Sequence, residues 1–279
     1  MIRDTFFSAS RFVSLCRKEM VESWKANVLR VVMMYGILAI AFVWNGYFQY
    51  LYPESLLKRK ELVDPIWVFE LIAFGWAVVI MGLLSASFIM ERMKTKTNRI
   101  AMLMIPATMF EKFFSRWLIF TFGFLVAFLI AFKLADWTRV LVYMVSYPEL
   151  KEIIASVPLS QIVGPGNWTI FSDNETFLLG ISIYLFAQSL FVLGSSIWPK
   201  NAFVKTLSAI IVIAIIYVSV GAMLTKVLIE SRGGYSGINE KISDETMMLI
   251  STIAFFALTL FNWVVAYFRF KESEIINRW

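Results

Sequence analysis

The residues that could do chemistry in this sequence are polar side chains set inside long apolar runs: Asn45, Gln49, Gln188, Asn262 and the Ser85-Ala86-Ser87 stretch. Ionisable groups approach those runs only at Glu70 and Lys133, both near run ends, where the charged head can reach water. The sequence has no histidine, which excludes imidazole general-base catalysis and histidine metal sites. Its one cysteine, Cys16, can form neither a thiolate cluster nor an intramolecular disulfide. No G-x-x-x-x-G-K-[ST] segment occurs, so the chain has no phosphate loop with which to bind ATP. No cofactor, metal or catalytic residue is therefore expected. Carriers driven by protons or sodium need carboxylates at mid-membrane, and none is evident. Asn45, Gln188 and Asn262 then read in two ways: as interhelical hydrogen bonds, or as polar points along a greasy translocation path.

The elements that position these residues are set by the bilayer. Of 279 residues 59% are hydrophobic and only 16% charged, whereas a soluble domain carries about a quarter charged residues. The apolar runs last roughly 20 residues, the length that crosses about 30 Å of hydrocarbon. They predict an all-α integral membrane protein with six transmembrane helices, at 31–52, 67–90, 113–134, 177–198, 203–224 and 247–268. Start signals accompany the runs: Asp64-Pro65, the capping-box spacings Thr108 to Glu111 and Ser172 to Glu175, Asn201, and Ser243-Asp244. Trp67, Trp117, Trp198 and Trp263 stand toward run ends, at the depth of the headgroups. No cleavable signal peptide is expected, since the first run begins near Val31 and no small-residue cleavage pattern follows it.

Lysine and arginine then set the orientation. Seventeen lie on the side of the N-terminus, the 91–116 connection, the 199–205 connection and the tail, against nine on the other side. The positive side faces the cytoplasm, which puts both termini there and makes 53–66, 135–176 and 225–246 external. The net charge of +6 is matched to anionic headgroups and a cytoplasmic partner rather than to nucleic acid. Residues 1–30 form a cytoplasmic N-terminal segment. Within it, 5–30 predict an amphipathic helix on the membrane surface, with Val13, Cys16, Met20, Trp24 and Val28 on one face and Arg11, Lys18, Glu22 and Lys25 on another. Residues 31–268 make the six-span domain, and 269–279 a cytoplasmic tail. Thr138 to Val157 has helical apolar spacing. A seventh span there would bury Glu149, Lys151 and Glu152 at several kcal/mol in total, so 135–176 is expected to be a long connection. Asn167-Trp168-Thr169 and Asn174-Glu175-Thr176 match a glycosylation triplet that often arises by chance.

The connection 91–112 carries the most information. It reads Glu91-Arg92-Met93-Lys94-Thr95-Lys96-Thr97-Asn98-Arg99, then Ile100 to Ile105, then Pro106-Ala107-Thr108 and Glu111-Lys112. Arg99 to Met104 predicts a short helix with Ile100, Leu103 and Met104 on its apolar side, ended by Pro106. This resembles the type-2 ABC transporter permeases. In that family the second span ends in a Glu-Arg pair, followed by a short amphipathic helix, a Pro-[Ala/Val]-[Ser/Thr] turn and a lysine-bearing helix. The Ala107-Thr108-Met109-Phe110-Glu111-Lys112-Phe113 run is most similar to permeases of Bacteroidetes-type bacteria. Six spans, internal termini and an amphipathic first helix extend the likeness over nearly the whole chain. Two features depart from it: 93–98 is basic and free of glycine where many members carry Arg-Glu-x-Gly, and the longest external loop precedes the fourth span rather than the sixth.

The resemblance implies a multi-pass permease of a bacterial inner membrane that exports an amphipathic or lipid-like substrate. Two permease copies, identical or not, would each rest on a separate ATP-hydrolysing nucleotide-binding subunit. The implied coupling residues are Glu91, Arg92, Arg99, Ile100, Leu103, Met104, Pro106 and Glu111. The residues alone also admit a non-catalytic membrane scaffold or immunity protein and, more remotely, an ion-coupled secondary transporter. A membrane-embedded enzyme lacks any paired catalytic groups within the spans.

Overall fold

The computed structural model describes residues 6–50, 67–151, 154–164, 169–232 and 243–273. The Asp64-Pro65 start and Asn167 fall outside that set. Among the described residues there is no strand, and six helices are long and apolar enough to cross a membrane. The chain is a multi-pass membrane protein. It divides into two compact units, one of residues 1–86 and 106–178, the other of 87–105 and 179–279.

In the first unit, α1 (Ala9–Glu22) leads to α2 (Trp24–Tyr50), α3 (Val68–Ser87), α5 (Met109–Leu118) and α6 (Phe124–Ser146). The single helix expected over 5–30 is broken at Ser23. The break lets α1 turn its Arg11, Leu15 and Glu19 side onto α5 while α2 runs on through the apolar unit, which one straight helix could not do. Val13 and Met20 are left exposed on the other side of α1.

The core is the pair α2 and α6. Met34, Leu38, Phe42, Gly46 and Tyr50 recur every four residues along one face of α2, and all are buried. Phe124, Phe128, Ala131, Phe132 and Ala135 answer from α6, and Leu71 and Phe74 close the cluster from α3. Lipid solvates apolar surface as well as a core does, so these contacts hold through close packing rather than through expulsion of water. Gly46 is required here: a Cβ would strike the Tyr143 ring, whose hydroxyl donates to the Val43 carbonyl at 2.5 Å.

α5 and α6 form one rod interrupted by a π-turn at Ile119–Gly123. The turn frees the Phe120 carbonyl from the helical ladder, and Ser85 of α3 donates to it at 2.7 Å. The rod spans Met109–Ser146, 38 residues. At 1.5 Å per residue it is about 57 Å long, nearly twice the hydrocarbon thickness. The expected external connection beginning at 135 therefore starts only at Tyr147, and Lys133, Asp136 and Arg139 lie on helix. No separate span occupies 138–157: its first part extends α6, and a strap of short turns follows at Pro148–Leu150 and Leu159–Ile162.

The second unit holds 3₁₀ turn Glu91–Met93, α4 (Lys96–Leu103), α7 (Asn174–Ile197, from Leu179 onward), α8 (Ala202–Arg232) and α9 (Asp244–Lys271). Gly194 of α7 faces Thr206 of α8 so closely that a Cβ has no room. Phe186 packs on Phe255 at 5.4 Å and Phe191 on Phe203 at 5.2 Å. α8 follows Asn201, whose φ of 59° is the one left-handed non-glycine backbone among the described residues. Asn201 stands directly before α8, and its carbonyl accepts from the Lys205 amide at 3.2 Å. α8 also runs eight residues past the expected end at 224.

Candidate functional site

The 91–112 connection, the elbow between the second and third spanning helices, passes from the second unit into the first, and each part is ordered within its own unit. Thr95 caps α4, its hydroxyl accepting from the Asn98 amide at 3.4 Å. Arg99 folds back to donate to the Met93 carbonyl at 3.1 Å, and Lys94 pairs with Glu91 at 3.0 Å. These bonds tie the helix to the turn before it. Ile100 and Leu103 are partly buried and Met102 is buried, while Met104, just past the last helical turn, is 76% exposed. Arg92 is half-buried, and Pro106 is exposed where the helical path has ended.

Beyond Pro106, in the first unit, the Thr108–Glu111 capping box is present in both directions. The Glu111 amide donates to Thr108 at 3.2 Å, and the Thr108 amide donates back to the Glu111 carboxylate at 3.0 Å. Glu111 is one of the expected coupling residues. Its fully buried carboxylate is engaged by α1, with Arg11 donating from Nε at 2.7 Å and from Nη2 at 2.8 Å, and the Ser8 amide at 2.8 Å. Farther along, Arg116 meets Glu19 at 3.3 Å. Phe6 and Phe12 stack on Phe110 and Phe114 at 4.9 and 5.3 Å. α1 is thus fixed to the start of the third spanning helix by ions at its polar face and rings beside them.

Each of the three polar residues expected along a path donates one hydrogen bond inside the fold. Asn262 of α9 donates to the Ser189 hydroxyl of α7 at 2.9 Å, an interhelical bond. Gln188 is buried and donates to the Tyr184 hydroxyl one turn back at 3.2 Å. Asn45 of α2 donates to Glu70 of α3 at 3.4 Å.

Asn45 leads to a cluster that the sequence did not reveal. Glu70, Asp136 and Arg139 are fully buried, against the expectation that Glu70 reaches water; Lys133 keeps partial exposure. Arg139 Nη2 donates to Asp136 at 2.7 Å and to the Ala155 carbonyl at 2.8 Å, and its Nε lies 3.6 Å from Glu70. Asp136 also accepts from the Val157 amide at 2.8 Å, and Lys133 donates to the Val157 carbonyl at 2.6 Å. The strap 154–157 is thereby tied to α6 by three charged side chains. The signal was available: Lys133, Asp136 and Arg139 recur every three residues on one helical face. It is missed once that stretch is read as a loop.

At the start of α7 the cap is Asp173, one residue beyond the spacing read in the sequence. Its carboxylate accepts from the Thr176 amide at 2.7 Å, and that bond with the Ser172 hydroxyl holds its pKa below the usual value. Comparison with protein-family models, with curated proteins and with solved structures gives no match.

Proposed function

We propose that this chain is the membrane-embedded permease subunit of an ATP-driven exporter of the type-2 ABC class. It works as one of a pair of permeases, each resting on a separate ATP-hydrolysing subunit, and moves an amphipathic or lipid-like substrate outward. The observation that carries the reading is the elbow between the second and third spanning helices. A slack loop that served topology alone would need neither a capped helix, nor a side chain folded back on the preceding turn, nor a capping box at its exit. A capped helix with Met104 exposed just past its end and Ile100 and Leu103 beside it suits a push delivered by a partner. One large apolar side chain seated in a partner groove contributes roughly 1–3 kcal/mol.

The test is co-purification with a phosphate-loop ATPase encoded beside this chain. Leu103→Asp and Met104→Asp lose the ATPase while still inserting in the membrane. Glu91→Ala keeps the ATPase but lowers the stimulation of its activity by substrate. Normal association and transport in all three variants would reduce the elbow to a topological anchor. A second reading, a non-catalytic membrane scaffold or immunity protein, draws on a different observation. Asn45, Gln188 and Asn262 each donate a hydrogen bond within the fold, which suits a structural role for these side chains.

A further inference from the structure

At the end of the first unit away from α1, two buried carboxylates flank one buried guanidinium. Asp136 holds the stronger position, accepting from Arg139 at 2.7 Å and from the Val157 amide at 2.8 Å, with Lys133 at 3.9 Å. Glu70 has the Asn45 amide at 3.4 Å, its own backbone amide, and a 3.6 Å approach to Arg139 Nε, which is too long for a hydrogen bond and leaves Arg139 Nε and Nη1 without one among the described residues. Its second oxygen, Oε2, meets no donor among the described residues. The groups that face Glu70 are Arg139 and Asp136 from α6, with Tyr143 one turn beyond, and Asn45 and Tyr50 from α2. A buried carboxylate with one oxygen bare is a costly anion, and a proton on that oxygen replaces the charge penalty with the smaller one of a neutral hydroxyl.

We propose that Glu70 is a proton-binding site that sets the grip of the 154–157 strap. With the proton bound as O–H on Oε2, Glu70 is neutral and Arg139 serves Asp136 and the Ala155 carbonyl. When the proton leaves to solvent, the Glu70 anion draws the same guanidinium toward α3, the bond to Ala155 gives way and the strap loosens. Only one O–H bond forms or breaks. The inference rests on this cluster and on the chain crossing a membrane, and not on the permease reading.

The experiment is hydrogen exchange of the 154–159 peptide in the full chain reconstituted in lipid nanodiscs, corrected for the intrinsic pH dependence of amide exchange. In the native chain, protection of the strap rises as pH falls, by about tenfold for one charge-assisted hydrogen bond regained. Glu70→Gln, which mimics the protonated group, and Glu70→Leu, which has nothing to titrate, hold the strap at the protected level at every pH. The sign separates Glu70 from its neighbour, because protonating Asp136 would loosen the strap in acid. Lys133 remains in both variants, so alkaline loosening that survived Glu70→Gln would belong to Lys133 and overturn the proposal. A flat profile in the native chain, or an acid-loosened strap, overturns it as well.

Discussion

Replacing Glu111 by alanine should undock α1 without unfolding the protein. The carboxylate is fully buried and accepts four hydrogen bonds: two from Arg11, one from the Ser8 amide and one from the Thr108 amide. Hydrogen bonds to a charged group are worth about 1.5–3 kcal/mol each. The simple sum overstates the loss, because the Arg11 side chain is already 25% exposed and regains water when freed. Removing one member of a buried pair costs about 3–5 kcal/mol, and the lower end fits a partner so near solvent. About 3 kcal/mol raises the opening equilibrium of α1 by roughly a hundredfold. Hydrogen exchange of the α1 amides reads this change, with α7 and α9 as internal controls. Glu111→Gln keeps an acceptor for the backbone amides and falls between the native chain and alanine. Arg11→Ala combined with Glu111→Gln costs less than the two changes separately, since both remove one interaction. Unchanged α1 exchange in Glu111→Ala would show that the ring stack holds the helix by itself and that the ionic reasoning is wrong.

Gly46→Val pushes the Tyr143 ring off the Val43 carbonyl and separates α2 from α6, lowering the thermal midpoint by several degrees at about 2 kcal/mol; a midpoint equal to that of Gly36→Val, where a Cβ meets nothing within 4 Å, would refute the close-contact argument. Asn262→Ala and Ser189→Ala each cost about 0.6 kcal/mol, the usual worth of a polar bond between membrane helices, and couple in a double-mutant cycle; strict additivity would show the bond is not formed. The pKa of Asp173 is depressed by the Thr176 amide and the Ser172 hydroxyl. Its cap is therefore fully present above the unfolded carboxylate value of about 3.9 and is lost as pH falls through the lower folded value. Exchange at the first turn of α7 should rise in acid and lose that dependence in Asp173→Asn.

The parts of the fold visible in the sequence are those where one short stretch carries the whole reason. A span needs about 20 apolar residues and nothing else, so all six could be counted. The Thr108–Glu111 box is four residues reading one another, and it formed as its spacing implied. The cap of α7 was found one position away, because Ser172 and Asp173 are both good caps and only the turn decides between them. The break at Ser23 has no proline or glycine to mark it. Its cause is α5, some 90 residues along the chain, which draws α1 sideways. The Glu70–Arg139 pair was hidden for the same reason: charge counted along a segment cannot show that two opposite charges, on helices joined by a long connection, face each other away from water. Once Glu149 to Glu152 is set aside as non-spanning, the charged face of α6 goes with it, although that helix continues to Ser146.

Under the proposed function, the 91–112 elbow is where a partner ATPase pushes. A photo-cross-linking residue in place of Met104, activated in native membranes, tests it most directly. The expected result is an adduct with a phosphate-loop ATPase, abolished by Leu103→Asp. A folded, inserted chain that yields no protein adduct at this position, and that accumulates substrate by itself on a proton or sodium gradient, would contradict it.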